Sequence, residues 1–198
     1  MSGPIHLYVS SSSDLSPERE AIGRIVAALP VTIGWQISHT PLAGSPAAGA
    51  PAMLGLAELE IRIRDCDLYA LVLGQDLTAP MGFEVRSALS SARLLGAYRK
   101  ACSRSPSAQD AVRTLDVEWQ RYADPAAFAA RFRRDLLRAL LDVGPSLGLD
   151  LADVERLLKD TQAEGTQAEE MEEPAGQGHA GRSGRILGRE VWQAGAQD

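Results

Sequence analysis

The sequence predicts an open α/β domain, with five parallel strands in the order 2-1-3-4-5 and helices on both faces. Three observations carry this. Strand-like and helix-like stretches alternate about five times along the chain. The run Leu68 to Leu73 is apolar at nearly every position and has turn residues on both sides, as in a central parallel strand. Two helix starts, Ser16-Pro17 and Asp124-Pro125, place a capping residue before a proline whose fixed φ suits the first helical turn.

Taken in order, Ile5 to Ser10 is the first strand, and Ser10 to Asp14 is a hydroxyl-rich loop. Ser16 is a candidate cap for the first helix, whose stripe is Ile22, Ile25, Val26 and Leu29 and which closes at Pro30. The stretch 32–40 reads as a second strand in which Ile33, Trp35 and Ile37 alternate. Residues 41–51 are rich in Pro, Gly, Ala and Ser and read as a long loop. A second helix is expected over 53–66, with Leu54, Ala57 and Ile61 on its apolar face. After the third strand, Leu68 to Leu73, a loop is expected over 75–82, with Glu84 in the first turn of the next helix. Leu94 to Tyr98 reads as the fourth strand, 99–106 as a basic loop, 107–115 as a short helix and 117–122 as an edge strand. The last long helix runs from Asp124-Pro125 to Gly144-Pro145. The expected division is a domain over 4–145, a helical extension over 146–163 and an acidic, flexible tail over 164–198, interrupted by the apolar island Ile186 to Trp192.

Charge is unevenly spread. Residues 1–149 hold 15 acidic and 15 basic groups, whereas residues 150–198 hold 11 acidic and 5 basic groups, so the net charge of −6 sits in the tail. A neutral body with an acidic tail lacks the basic face that nucleic-acid binding needs. No apolar run approaches the roughly 20 residues of a membrane span. With Cys66 and Cys102 as the only cysteines and no secretory signal at the start, the expected setting is a reducing cytoplasm. His6, His39 and His179 are far apart, and no His or Cys pair has ligand spacing, so no metal site is expected. Walker A and G-x-G-x-x-G runs are absent.

In open α/β sheets ligands bind beyond the carboxyl ends of the strands, where the strand order reverses. That point lies between strands one and three, at the loops Ser10 to Asp14 and Gly74 to Glu84. Ser10, Ser11, Ser12, Asp14 and Gly74 are therefore candidate ligand-binding residues, because hydroxyls and N–H groups at a helix start suit phosphate or ribose. Glu84 is the candidate catalytic residue, since a carboxylate can stabilise or attack the oxocarbenium-like state of a breaking glycosidic bond. Its plain alternative is a first-turn Glu that complements the helix dipole. Asp14 and Ser16 as caps, Glu18 with Arg19 as an ion pair, and Asp65 and Asp67 as structural groups are the matching plain readings. Trp35 and Trp119 are expected to pack, and Arg99, Lys100 and Arg104 are either solvated or phosphate-facing.

The stretch LYVSSSSDLSPERE resembles the signature F-I-S-S-T-x-x-D-L-x-x-E-R of a TIR-like domain of unknown function. That domain often heads signalling proteins carrying STAND or NACHT NTPase modules. Val9, Ser10, Ser11, Asp14, Leu15, Glu18 and Arg19 match as they stand. Asp65-Cys66-Asp67, Gly74, Glu84, Arg104-Ser105-Pro106 and VEWQRYADPAAFAARFRRDLL extend the resemblance over about residues 4–143. It implies a flavodoxin-like, TIR-like fold grouped with TIR domains and nucleoside 2-deoxyribosyltransferases. It further implies that Glu84 occupies the position of the carboxylate with which active members cleave an N-glycosidic bond, NAD or another nucleotide being the ligand. Position 12 is Ser where Thr is commoner, no aromatic-Cys pair precedes Glu84, and the loop DLTAPMG lacks the Asp-Gly-Thr run of the deoxyribosyltransferases. Two functions follow as expectations. One is a signalling or defence domain that binds a nucleotide such as NAD and either cleaves its N-glycosidic bond or senses it. The other is a non-catalytic interaction module that self-associates or recruits a STAND-type NTPase. A deoxyribosyltransferase is the third and weaker option.

Overall fold

A computed structural model describes residues 5–38, 56–91 and 93–170. Its strands are β1 (His6–Ser11), β2 (Gly34–Ile37), β3 (Leu68–Leu73), β4 (Arg93–Lys100) and β5 (Trp119–Tyr122). They form one five-stranded sheet in the order β2-β1-β3-β4-β5, and every pair is parallel. This is the flavodoxin-like arrangement that the alternation of elements predicts. The helices are α1 (Ser16–Ala27), α2 (Leu56–Arg64), α3 (Ala79–Ser91), α4 (Pro106–Thr114), α5 (Pro125–Leu147) and α6 (Leu151–Glu170).

Strand side chains alternate between two cores, which is why β3 is buried at every residue. Val9, Leu68, Ala70, Val72 and Tyr98 face a core shared with Ile22 of α1, Phe128, Phe132 and Leu136 of α5, and Leu157 of α6. Tyr8, Tyr69, Leu71, Leu73 and Ala97 face the other, built with Leu59 and Ile63 of α2, Met81 and Val85 of α3, and Ala108 of α4. Helices thus cover both faces. Tyr98 stands edge-on to Phe128, with ring centroids 5.4 Å apart, and donates its hydroxyl proton to Asp135 at 2.7 Å.

Several local expectations are corrected. On α2 the buried residues are Leu59 and Ile63, while Ile61 is 54% exposed. Leu59 and Ile63 each lie two residues from Ile61 and so on the opposite side of the helix from it, because 59, 61 and 63 are all Leu or Ile and two apolar rows compete for the sheet. Leu54 lies outside the described residues. α1 begins at Ser16 with Leu15 at its cap position and no side-chain cap, so Ser16 is a first-turn residue. Arg99 and Lys100 belong to β4 rather than to a loop. α5 passes through Pro145, whose missing N–H removes a single hydrogen bond near the helix end, and stops where Gly148 adopts φ 104°. Trp35 is 44% exposed and lies over Gly23 of α1, whereas Trp119 is half-buried.

α6 packs on α5 through buried Leu157 and an Arg133–Asp160 ion pair of 2.5 Å, and it continues to Glu170, past the expected end of the extension at 163. The loop expected over 41–51 and the island Ile186 to Trp192 lie outside the described residues. Among the described residues no helix is long and apolar enough to cross a membrane.

Candidate functional site

The strand order places the ends of β1 and β3 side by side, with Ser11 opposite Val72. The β1 loop leads to α1 on one face, and the β3 loop leads to α3 on the other. The sequence-predicted residues converge at these two strand ends.

Glu84 is in the second turn of α3, because the helix starts at Ala79 with Pro80 in its first turn. No acidic residue occupies that first turn, so the helix-dipole reading of Glu84 falls away. Its side chain is 4% exposed and turned toward the sheet. Ser10 Oγ donates to Oε2 at 2.5 Å, and Tyr8 donates its hydroxyl proton to Oε1 at 3.2 Å. Burial raises the carboxyl above the usual range, against the hydrogen bonds from Ser10 and Tyr8, which favour the charged form. Among the described residues no cation pairs with it. Tyr8 stacks on Tyr69 with centroids 6.3 Å apart, and both phenols are pushed up by burial first and by the Glu84 charge after it.

Ser12 joins the two loops. Its hydroxyl accepts from the Gly74 N–H at 2.9 Å and donates to the Asp76 carbonyl at 2.7 Å, while its N–H donates to Val72 O at 3.1 Å. Asp14 does not cap α1; its exposed carboxylate accepts from the Gln75 N–H at 3.2 Å. A Cβ at Gly74 would lie 2.4 Å from Asp14 Oδ2, so any larger residue there displaces the Asp14 carboxylate. Ser11 is buried at the strand end and donates its N–H to Ser38 Oγ at 3.2 Å.

Glu18 and Arg19 do not pair with each other. Arg19 donates to the carbonyls of Ser12 and Ser13 at 3.2 Å each and to Ser16 Oγ at 2.9 Å, which fixes the shape of the β1 loop. Glu18, fully buried, faces Lys100 Nζ at 2.9 Å. Adjacent charges on a helix point to different faces, and the sheet buries one of them. Arg104 donates to the backbone carbonyls of Lys100 and Cys102. Lys100 and Arg104 of the basic stretch are thus engaged internally. Asp67 is structural, accepting from the His6 N–H at 2.8 Å.

Sequence reasoning missed Tyr8 and Ser38 as members of the site. Tyr8 lies two residues before Ser10 and therefore shares its face, a period-two signal available in the sequence. Ser38 had no such signal, since only the sheet order brings the ends of β1 and β2 together. One surface hollow of about 260 Å³ is lined by Glu60, Arg64, Ser87, Ser90 and Ser91, and another of about 230 Å³ lies between the end of α1 and β2. Neither touches Glu84. No group of three or more metal-ligating side chains occurs among the described residues.

No protein-family profile and no curated protein matches the chain. Solved structures with a similar backbone include the metal-soaked Flv1 flavodiiron core from Synechocystis sp. PCC6803, at 10% identity and a TM-score of 0.42. The match covers 69% of this chain and 37% of that one.

Proposed function

We propose that the chain is a TIR-like, nucleotide-binding signalling or defence domain that cleaves the N-glycosidic bond of NAD or a related nucleotide, with Glu84 as its catalytic carboxylate. The observation that carries the reading is Glu84 itself. A helix whose stability needs only an apolar residue at this position instead buries a carboxyl against Ser10 and Tyr8, with no cation to compensate it among the described residues. Burying an uncompensated charge costs several kcal/mol, about as much as many domains have in total stability. Structural need alone does not account for it.

The chemistry follows from the group. As the bond from ribose to base breaks, positive charge develops on the sugar ring, and an ionised carboxylate either stabilises that charge or forms a bond to the anomeric carbon. Ser10 and Tyr8 hold one oxygen each, which fixes the carboxylate plane. Ser11, Ser12, Asp14 and Gly74 lie at the same strand ends and are the ribose- and phosphate-facing groups of this reading. The TIR-like signature supports the nucleotide class and a signalling setting, with a STAND-type NTPase as partner and self-association as the route to activity.

The second reading, a non-catalytic adaptor, is favoured by a different observation: Glu84 is only 4% exposed and neither of the two hollows reaches it. The test is nicotinamide release from NAD by concentrated protein, with Glu84→Ala and Glu84→Gln in parallel. Release by the wild-type chain that both variants abolish is the expected result. Absence of release together with absence of a NAD-induced rise in melting temperature would leave the adaptor.

A further inference from the structure

The hollow of about 230 Å³ at the end of α1 is apolar. Val26, Ala27 and Leu29 line it from α1 and the turn that follows, and Val31, Ile33 and Trp35 line it from β2 and its approach. Trp35 forms one wall. It pairs with Leu7 in the β1–β2 register, so its indole stands on the α1 face of the sheet, opposite to the face that Tyr8 and Glu84 share. The outer ring atoms lie over Gly23 of α1, where a Cβ would come within 3.3 Å of Cη2. Glycine there lets the indole lean across to α1, yet 44% of Trp35 stays exposed, and Ala27 is exposed as well. Covering this surface removes apolar area from water.

Its size narrows the choice of occupant. Small-molecule sites run to roughly 300–1,000 Å³, and a stable dimer buries about 800 Å² and roughly 20–30 residues on each partner. The hollow is below both scales. A segment tethered to the domain needs much less contact area, because its linker holds it at an effective concentration in the millimolar range. The chain carries such a segment within reach. α6 passes the rim of the hollow: Arg156 donates to the Pro30 carbonyl at 3.0 Å, between Leu29 and Val31, and Leu157 is buried in the same core as Val31 and Ile33. From Arg156 to Glu170 α6 runs a further 14 residues, about 21 Å. Residues 171–185 can span up to about 50 Å, more than the return requires.

Apart from Met171, the large apolar side chains of 171–198 are Ile186, Leu187, Val191 and Trp192, all within seven residues, and Trp192 is the one Trp, Tyr or Phe among them. We propose that the segment 186–192 of this chain docks in the hollow between α1 and β2, with Trp192 against the exposed part of Trp35. Paired aromatic rings gain from offset or edge-on contact beyond the area they bury, which suits a site too small for a broad interface. The docked segment lies on the α1 face of the sheet and leaves the Glu84 face open, so the proposal is independent of NAD turnover.

The experiment puts a photo-crosslinker at the docking residue of the full chain, Trp192→p-benzoylphenylalanine, and maps the cross-links by mass spectrometry in dilute protein. Cross-links to residues 23–35 within single chains are the expected result. Trp35→Ala in the same chain should lower their yield about tenfold, as loss of a central aromatic contact does. If that variant does not fold, Leu187→Ser with Val191→Ser, both outside the folded domain, should lower the same yield. Without the label, Trp192→Ala should move the indole proton resonance of Trp35 and leave that of Trp119 in place. Cross-links found in dimers and lost on dilution would overturn the proposal and put a second copy in the hollow. Cross-links to α2, α3 or α6 instead, no cross-links, a yield that the variants leave unchanged, or an unmoved Trp35 signal would each overturn it as well.

Discussion

Gly74 and Asp14 come from loops 60 residues apart, yet their side-chain positions are mutually exclusive beyond hydrogen. A methyl group on Gly74 would sit 2.4 Å from Asp14 Oδ2 and 2.6 Å from Oδ1. The backbone of Gly74 does not adopt positive φ, which among the described glycines is confined to Gly148, and the three atoms nearest to an alanine methyl there all belong to Asp14. Gly74→Ala must therefore swing the carboxylate away and break its bond to the Gln75 N–H. Hydrogen bonds to charged groups contribute about 1.5–3 kcal/mol when shielded, and the exposure of Asp14 reduces this to about 1 kcal/mol. Asp14→Ala should cost about the same, because it breaks the same bond. In the Asp14→Ala background, however, the three closest contacts of an alanine at position 74 are gone, and the reduced freedom of the unfolded chain stabilises by about 0.4–1 kcal/mol. The two substitutions should be non-additive by 1 kcal/mol or somewhat more. Urea denaturation of the four proteins measures this coupling directly. Additive costs, within about 0.3 kcal/mol, would refute the claim that the two loops are closed onto each other through this pair.

Two further perturbations probe the charges beneath the loops. Lys100→Met leaves the fully buried Glu18 without its cation and should destabilise by about 3–5 kcal/mol, most of which a second substitution, Glu18→Gln, should return; chemical denaturation of both variants checks it. Glu84 has a folded-state pKa raised above its unfolded value, so its contribution to stability is complete below the unfolded value near 4.3 and is lost as pH rises through the folded one. The stability of the wild-type chain relative to Glu84→Gln should therefore fall as pH rises above about 4. A difference that is flat with pH, or rises, would contradict the burial argument.

The fold was legible because local signals agreed with one another. β3 is bounded where its apolar run ends, Asp124 caps α5 by accepting from the Ala126 and Ala127 N–H groups, and the alternation of elements leaves few topologies for a parallel sheet. Where two apolar rows competed, as with Ile61 against Leu59 and Ile63, periodicity did not decide which faced the sheet. Pro80 and Gly82 were read as loop punctuation, although Pro80 suits a first helical turn; that choice placed Glu84 one turn too near the helix start. The convergence of Ser10, Ser12, Asp14, Gly74 and Glu84 was visible from the strand order. The hydrogen bonds among them were not, since Tyr8, Ser38 and Lys100 meet their partners only through the sheet.

The most direct test of the central claim is amide hydrogen exchange of the wild-type chain with and without millimolar NAD. Slower exchange confined to the ends of β1 and β3, from Ser10 to Asp14 and from Gly74 to Glu84, is what the account predicts. Protection elsewhere, or none at these loops, would contradict a nucleotide site at the switch point.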